Sequence, residues 1–565
     1  MSDLPVRPSL SSLRKQAKSL LSSYRDGVDD AMAAVQEHHP KPDGFSSLRD
    51  AQLVVARQYG YPSWAELCDA AEAALDAARS IDERADLFAD LACLCYSPND
   101  NISRRERAAR LVEETPDLTQ HHVYAAAAAA DLPALTSHIE SDPECVNRVG
   151  GIRSWPPLMY LAYSRVSVNG SDPLTAMQAL IDAGADPTFH IDGTKPAEQS
   201  TLGGWYWTAL TGVIGEGENG TVQQSPHPQA KELATMLLDA GASPNDGQGL
   251  YNSIFTPGNE WLELLISRGL SADDRVIPED PEAEKTLDYQ LARAAKVGLV
   301  DRAKFLLENG ADPRGADRTY TGKSYVEIAV DNGFGEILDL LVDHGAERPE
   351  LSDADRYRIA VVGGDEVEAR RLLEGDPSLS DQPGMLIQSA HQGEIDRVRL
   401  ILDLGCDVNA RNPNGRAALH EAAWKGDLEM MQLLLDRGAE CEIRSNDHDA
   451  TPIGFANHAG RLEARDYLIE RTRDAYDLAR FGNTSRLLEI LEEDGSRAKV
   501  ALSNGMTALH VVPETEDAEA VIDKLIASGA DIDKKNDDGK TPLASAEASD
   551  RSRVAELLRA RGATV

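Results

Sequence analysis

A short apolar face at helical spacing, followed at once by a glycine, recurs along this chain, and residues 415–440 show it most clearly. Leu419, Ala422 and Ala423 form the first face there, and Gly426 follows them. Glycine suits the position just past a helix end, because it adopts positive φ without a Cβ clash. The pattern therefore predicts a short helix that ends at Lys425.

A second apolar face follows, formed by Leu428, Met431, Leu434 and Leu435, and Gly438 ends it. Two short antiparallel helices cannot bury their apolar faces alone, so the unit requires neighbours on both sides. The same unit recurs with a period of about 33 residues, and the first helix begins with Thr-Pro-Leu-His chemistry in several copies. In period and in motif this stretch resembles an ankyrin repeat.

The second helix of each predicted unit carries two apolar residues one turn before its glycine. The glycines in this position are Gly184, Gly241, Gly269, Gly310, Gly345, Gly405, Gly438, Gly529 and Gly562. Thr451-Pro452 and Thr541-Pro542 predict helix starts, since Thr caps the helix and Pro loses no hydrogen bond in the first turn. The resemblance predicts an all-α ankyrin-repeat solenoid of roughly a dozen units.

Four segments follow from this reading. Residues 1–79 form an N-terminal helical cap segment, and residues 80–150 form divergent helical repeats. Residues 151–350 form ankyrin repeats with one long insertion at about 189–228, and residues 351–565 continue the repeats. The runs at 12–18 and 50–57, with the Gly-Tyr-Pro-Ser-Trp that follows, resemble an N-terminal segment of some bacterial ankyrin proteins. That resemblance implies no activity.

The charge balance narrows the classes of partner. The chain carries 57 Lys and Arg against 95 Asp and Glu, a net charge of −38. Nucleic-acid binding depends on neutralising phosphates with Lys and Arg, and anionic membranes attract cations, so neither partner is expected. The charge favours a protein partner with a basic patch.

The location predicted for the protein is the cytoplasm. Six cysteines are scattered over the chain, which is not the spacing of a disulfide framework. The N-terminus lacks the apolar core of a signal peptide, and no apolar run reaches the ~20 residues that a membrane helix needs.

Patterns that suggest catalysis or cofactor binding fail on inspection. Gly215-x-Gly217-x-x-Gly220 matches a dinucleotide fingerprint by letter, but acidic residues interrupt it and no helix-forming pattern follows. His420-Glu421 lacks the second His of a zinc-protease helix, and Cys93-x-Cys95 lacks the partner pair of a zinc site. We therefore expect no catalytic residue, no metal and no cofactor.

The insertion at about 189–228 contains Trp205, Tyr206 and Trp207, and we expect an ordered loop or a small hairpin there. Insertions in repeat arrays often lie on the binding face. These aromatics, with His227, could line a site for a partner or a small molecule, although packing onto the protein's own repeats is the simpler interpretation.

The resemblance also implies where a partner would bind. In ankyrin proteins the two residues before the glycine between the helices look into the concave groove. Those positions hold His391-Gln392, Trp424-Lys425 and His458-Ala459 on three successive units. Aromatic side chains contribute out of proportion at interfaces, so His391, Trp424, Lys425 and His458 are predicted to bind a partner.

His420 and His510 fill the His position of the Thr-Pro-Leu-His motif, where an ankyrin-type His is structural.

Three functions remain open at this point. The leading prediction is a non-catalytic protein-binding scaffold or regulator that holds its partner in the groove. The alternative is an enzyme or small-molecule-binding protein with its site at the insertion. A structural spacer without a specific partner is the third, and it predicts that Trp424→Ala changes no association.

Overall fold

A computed structural model describes most of the chain. It describes every residue except 1–3, 5–8, 26, 43–44, 46–47, 98–99, 167, 169, 193–205, 218–223, 255–257, 279, 319, 550 and 565. The described chain is predominantly helical, as the sequence predicts, and it forms two compact units. Unit 1 comprises Met1–Leu75 and Arg356–Val565, and unit 2 comprises Asp76–Asp355.

The N-terminal part of unit 1 contains four helices. They are α1 (Leu10–Arg25), α2 (Asp29–His38), α3 (Leu48–Gln58) and α4 (Trp64–Ala77). Leu13 and Leu21 of α1 pack with Val54 of α3 and Leu67 of α4 in one apolar core.

Helix pairs make up unit 2, together with one short hairpin. The helices are α5 (Ile81–Ala92), α6 (Ile102–Glu114), α7 (Val123–Ala129), α8 (Leu132–Ser141), α9 (Pro157–Tyr163), α10 (Pro173–Asp182), α11 (Ala209–Ile214), α12 (Ala230–Asp239), α13 (Gly247–Ser253), α14 (Glu260–Ser267), α15 (Thr286–Val297), α16 (Val300–Glu308), α17 (Tyr325–Asn332) and α18 (Gly335–Asp343). The strands β1 (His190–Asp192) and β2 (Tyr206–Thr208) pair antiparallel, with Ile191 opposite Trp207.

The C-terminal part of unit 1 continues the helix pairs. They are α19 (Asp353–Val362), α20 (Glu366–Gly375), α21 (Pro383–Gln392), α22 (Ile395–Asp403), α23 (Ala418–Lys425), α24 (Leu428–Asp436), α25 (Pro452–His458), α26 (Leu462–Ile469), α27 (Ala475–Arg480), α28 (Thr484–Glu493), α29 (Ala508–Val511), α30 (Ala518–Ala527), α31 (Pro542–Ala548) and α32 (Ser552–Ala560).

One ion pair within unit 1 joins its two sequence segments. The guanidinium of Arg25, at the end of α1, lies 2.5 Å from the carboxylate of Glu514. Glu514 also accepts a hydrogen bond of 2.6 Å from the backbone N–H of Arg553. This contact links the N-terminal helices to the last repeats of the chain.

The pair α23–α24 shows how the repeat sequence determines its structure. Gly426 adopts φ 75°, and the following N–H of Asp427 donates to the carbonyl of Ala422, which closes the helix end. The carboxylate of Asp427 then accepts the backbone N–H of Met430, which caps the second helix. The whole first predicted face is buried, and in the second Met431 and Leu434 are buried whereas Leu428 and Leu435 are half-buried.

Side chains at fixed repeat positions bond each repeat to the next. The amide of Asn409 donates to the carbonyl of Gly438 at 3.0 Å and accepts the N–H of Glu440 at 2.9 Å. Asn147 in unit 2 makes the same pair of bonds, to Gly184 and Asp186, both at 2.7 Å. The two units therefore use one device for stacking.

In each helix pair we call the first helix the inner helix, the second the outer helix, and the turn before the inner helix the turn tip. The turn tips of successive repeats also contact each other. Asn412 accepts the backbone N–H of Arg416, and Gly415 in the same tip has φ 74°. The carbonyl of Asn414 accepts the N–H of Asn446, from the next tip, at 2.7 Å. The tips form a continuous row because each donates into its neighbour.

The interval 189–228 differs from the prediction of one continuous insertion. Helix α11 lies inside it, capped by the hydroxyl of Thr208, and it buries Leu210, Val213 and Ile214. The described extra residues therefore lie on both sides of α11, with the paired strands β1 and β2 before it. The short length of α11 concealed this inner helix among the polar residues on both sides.

Candidate partner-binding surface

The predicted groove positions lie at the ends of three successive inner helices of unit 1, α21, α23 and α25. His391, Trp424 and His458 occupy them, and all three side chains are exposed. Trp424 keeps 39% of its surface exposed.

Trp424 is nevertheless held in place by the next repeat. Its ring stacks on the His458 ring, with centroids 5.8 Å apart and planes 27° from parallel. Phe455, one turn earlier in α25, meets the Trp424 ring at 71° and 6.2 Å. Both arrangements are favoured geometries for aromatic pairs. Trp424 is therefore ordered before any partner arrives.

Arg416 fixes the same rings from the turn tip in front of α23. Its guanidinium carbon lies 4.9 Å from the centre of the Phe455 ring, a cation–π contact. The same guanidinium bonds the carboxylate of Asp447 at 2.5 Å and lies 3.6 Å from Glu421. One arginine thus joins a turn tip, an inner helix and the following repeat.

His391 is tied to the same network through Glu421. Its Nδ1 lies 2.8 Å from the Glu421 carboxylate, in the next repeat. Burial alone would raise the pKa of Glu421, but the hydrogen bond and charge of His391, with the charge of Arg416, hold that pKa below its usual range. Glu421 is therefore ionised at neutral pH.

We name His391, Trp424, Phe455 and His458 the ring strip.

His420 lies close to the ring strip but has a structural role. It is 0% exposed, its Nδ1 accepts the N–H of Ala417 at 3.1 Å, and its Nε2 donates to the carbonyl of Ala450 at 3.3 Å. Burial lowers the pKa of His420 to about 4, so the ring is neutral. His510 repeats this arrangement with Thr507 and Lys540, as the sequence predicts for both histidines.

Lys425 follows Trp424 and is also exposed. Within the described part of the chain, its ammonium group takes part in no ion pair. It therefore contributes an unneutralised charge beside the ring strip.

Sequence reasoning missed the contribution of Phe455 and Glu421. Phe455 is 5% exposed and lies at a core position of its helix, so its spacing marks it as packing. The only sequence pattern that includes Glu421 is the incomplete zinc-protease motif His420-Glu421. The available signal was the Arg at 416 in a turn tip, since a guanidinium there can reach both an aromatic ring and a carboxylate.

The aromatics of the insertion separate in the structure. Trp207 packs against Tyr96, with ring centroids 4.6 Å apart, whereas Tyr206 meets His190 at 4.2 Å. Successive residues of a strand point to opposite faces, which explains the separation. Trp205 lies outside the described residues.

His227 has local partners of its own. Its Nδ1 accepts the N–H of Gln229 at 3.1 Å, and burial lowers its pKa to about 3. Tyr96 adopts φ 48°, and its hydroxyl donates to the carbonyl of Thr211. These contacts tie the insertion to its own repeats.

The glycine pattern at 215–220 begins at the wrong end of a helix for a phosphate. Gly215 is the residue after α11, where the helix presents carbonyl groups and the negative end of its dipole. A pyrophosphate requires a helix N-terminus. A Cβ at Gly215 would lie 2.4 Å from the carbonyl oxygen of Ser225, so close backbone packing accounts for this glycine.

Among the residues that the structure describes, no three His, Cys, Asp or Glu side chains lie together as a metal site requires. None of the described helices has the length and apolar character needed to cross a membrane.

Comparison with known proteins adds the family. A family model described as ankyrin repeats matches residues 359–447 and 386–478, which include the whole ring strip. The ankyrin repeat and KH domain-containing protein mask-1 of Caenorhabditis elegans is 22% identical over 371 residues, 60% of this chain and 14% of that protein.

Two human proteins also match. SH3 and multiple ankyrin repeat domains protein 2 is 28% identical over 219 residues, 37% of this chain and 11% of that protein. Cyclin-dependent kinase 4 inhibitor B is 41% identical over 66 residues, 12% of this chain and 45% of that protein. This chain thus spans less than half the length of each of these relatives. The matched repeats, together with the stacked helix pairs, show that the chain is an ankyrin-repeat protein.

Proposed function

We propose that this protein is a non-catalytic scaffold or regulator that binds a partner protein on the ring strip. Ankyrin repeats and the matched relatives support protein–protein interaction as the class of function. One of those relatives is named as an inhibitor of another protein, a cyclin-dependent kinase. The net charge of −38 disfavours nucleic acid and anionic membranes as partners.

The observation that carries this proposal is the state of Trp424. A tryptophan that is exposed yet fixed by stacking on His458 presents a large contact area, and little conformational entropy is lost when it binds. Two features extend the surface. His391 lies one repeat before it, and Lys425 lies directly beside it.

The alternative, an enzyme or a small-molecule site at the insertion, has less support. Such a site needs several polar groups that converge on one point. Trp207 packs on Tyr96, Tyr206 packs on His190, and His227 bonds Gln229. The described side chains of the insertion thus contact residues of the same fold, and we interpret these aromatic residues as stabilising the insertion.

The test compares three tagged forms of the intact chain in the cells that produce it. Wild type is compared with Trp424→Ala/His458→Ala and with the control Tyr320→Ala, which removes another exposed ring (53% exposed) that belongs to unit 2. We expect one stoichiometric protein to bind wild type and Tyr320→Ala but not the double variant. An identical set of bound proteins for all three forms would contradict the proposal and favour a structural spacer.

A further inference from the structure

Exposed cations lie beside the ring strip although the whole chain is acidic. Three exposed cations lie there, Lys425, Arg461 and Arg480, which we name the cationic rim. Lys425 ends α23, and Arg480 ends α27, in the position that Trp424 and His458 occupy in their own repeats. The row of groove positions therefore reads His, Trp, His and Arg.

Arg461 belongs to the same patch by direct packing. A Cβ placed on Gly426 would lie 3.0 Å from the Cδ of Arg461, so the aliphatic part of that side chain covers the turn after Lys425. Arg461 thus packs against the residue that follows Lys425, although the two cations belong to different repeats. No ion pair involves either of them among the side chains that the structure describes.

The carboxylates nearest the rings are already engaged. Glu421 accepts from His391 and lies beside Arg416, and Asp447 bonds Arg416. Asp427 caps helix α24, and Asp477 is buried against the hydroxyl of Thr451. Among the described residues, none of these carboxylates forms an ion pair with a cation of the cationic rim.

Resting on the proposed function, we infer that the partner presents an acidic segment to this surface. An apolar or aromatic anchor of that segment meets Trp424 and His458, and its carboxylates meet Lys425, Arg461 and Arg480. Interfaces are arranged so that opposite potentials meet, and an unneutralised cation at a buried contact is costly. The charges near the bound segment determine its electrostatic energy, because the repulsion from the rest of an acidic chain is screened beyond about 10 Å at 0.1 M salt.

This inference replaces the partner that composition alone favours. The net charge of −38 suggests a partner with a basic patch. That charge is spread over both units, whereas contact energies depend on the groups within a few ångströms of the bound segment. A basic segment at the ring strip would meet three cations of its own sign.

A random peptide library provides the test. Peptides displayed on phage are selected on the intact wild-type chain and counter-selected on Trp424→Ala/His458→Ala, so that only strip-dependent binders remain. We expect the enriched peptides to be rich in Asp and Glu around one aromatic or aliphatic residue. Strip-dependent peptides without an acidic bias would overturn this inference but leave the proposed function standing.

Charge reversal then distinguishes the effect of the cationic rim from the effect of the net charge of the chain. Lys425→Glu should weaken the enriched acidic peptide by about tenfold in fluorescence polarisation, because attraction becomes repulsion. The control Arg399→Glu makes the same charge change at an exposed position of the outer helix α22 and should leave binding unchanged. Equal losses for both variants would overturn the inference. Failure to enrich any strip-dependent peptide would overturn the proposed function together with it.

Discussion

The ring of Trp424 stacks on the ring of His458 from the next repeat, at a centroid distance of 5.8 Å. Phe455 meets the same Trp424 ring at 6.2 Å, but Phe455 is buried whereas Trp424 is exposed. The strip therefore combines a ring that supports the fold with a ring that is available to a partner.

This difference in burial predicts a large loss of stability for one alanine substitution and a small loss for the other. Phe455→Ala empties a buried position and should lower the free energy of unfolding by about 3 kcal/mol. Trp424→Ala removes a half-solvated ring and should cost about 1 kcal/mol, while abolishing partner binding. Urea unfolding followed by circular dichroism measures the loss of stability in both variants. Equal losses of stability would show that Trp424 is held for packing rather than for binding.

The interlocked turn tips predict a second matched pair. Gly415 and Gly539 both have φ 74° in equivalent tips, but only Gly415 has a neighbour. A Cβ there would lie 2.8 Å from the backbone nitrogen of Asn446, whereas a Cβ on Gly539 would meet nothing within 4 Å.

Gly539→Ala should therefore cost only the strain of positive φ, about 1 kcal/mol. Gly415→Ala should cost about 3 kcal/mol, since the tip must also move away from its neighbour. Thermal unfolding of both variants beside wild type measures the difference. If the two variants melted together, the tips would not be in contact in solution.

Much of this fold follows from the sequence for a simple physical reason. A glycine after an apolar helical face marks a helix end, and Gly426 and Gly438 do so through local backbone conformation alone. The positions of Trp424 and His458 follow in turn from counting back from such glycines. Their exposure and their contact are consequences of repeat register, which a regular period specifies.

What the sequence does not predict depends on contacts between distant residues. Helix α11 has only six residues and follows strand β2 directly, so its periodicity is too short to recognise. Phe455 carries no sign that Arg416 will lie over its ring. Arg165, an ordinary charged residue in the sequence, is enclosed by backbone carbonyls of α9, of α11 and of the segments that follow these two helices.

Arg165 supplies the third prediction. Its guanidinium donates to the carbonyls of Ala162, Ser164, Gly212 and Ser225 at 2.5–3.1 Å, and burial lowers its pKa to about 10. Arg165→Met leaves those carbonyls without this donor and should lower the stability of unit 2 by about 3 kcal/mol.

The matched control for Arg165 is Arg268→Met, also in unit 2. Arg268 pairs at the surface with Asp239 at 2.9 Å, and such pairs contribute less than about 1 kcal/mol. Protease resistance of the loops around Arg165 and urea unfolding together measure the effect. Similar behaviour of the two variants would show that the loops close without the guanidinium.

His420 predicts an acid-sensitive fold. Burial lowers its pKa from 6.5 to about 4, so the folded protein binds fewer protons than the unfolded chain between these values. A group whose folded pKa is depressed supports the fold fully above pH 6.5. That support is lost as the pH falls towards 4, by up to about 3 kcal/mol.

Urea unfolding at a series of pH values between 7 and 4 should show stability decreasing throughout this window. His420→Gln carries no titrating ring, so its stability should fall less steeply even though it starts lower. Parallel curves for the variant and the wild type would mean that His420 is not the neutral, buried bridge to Ala450 that the structure describes.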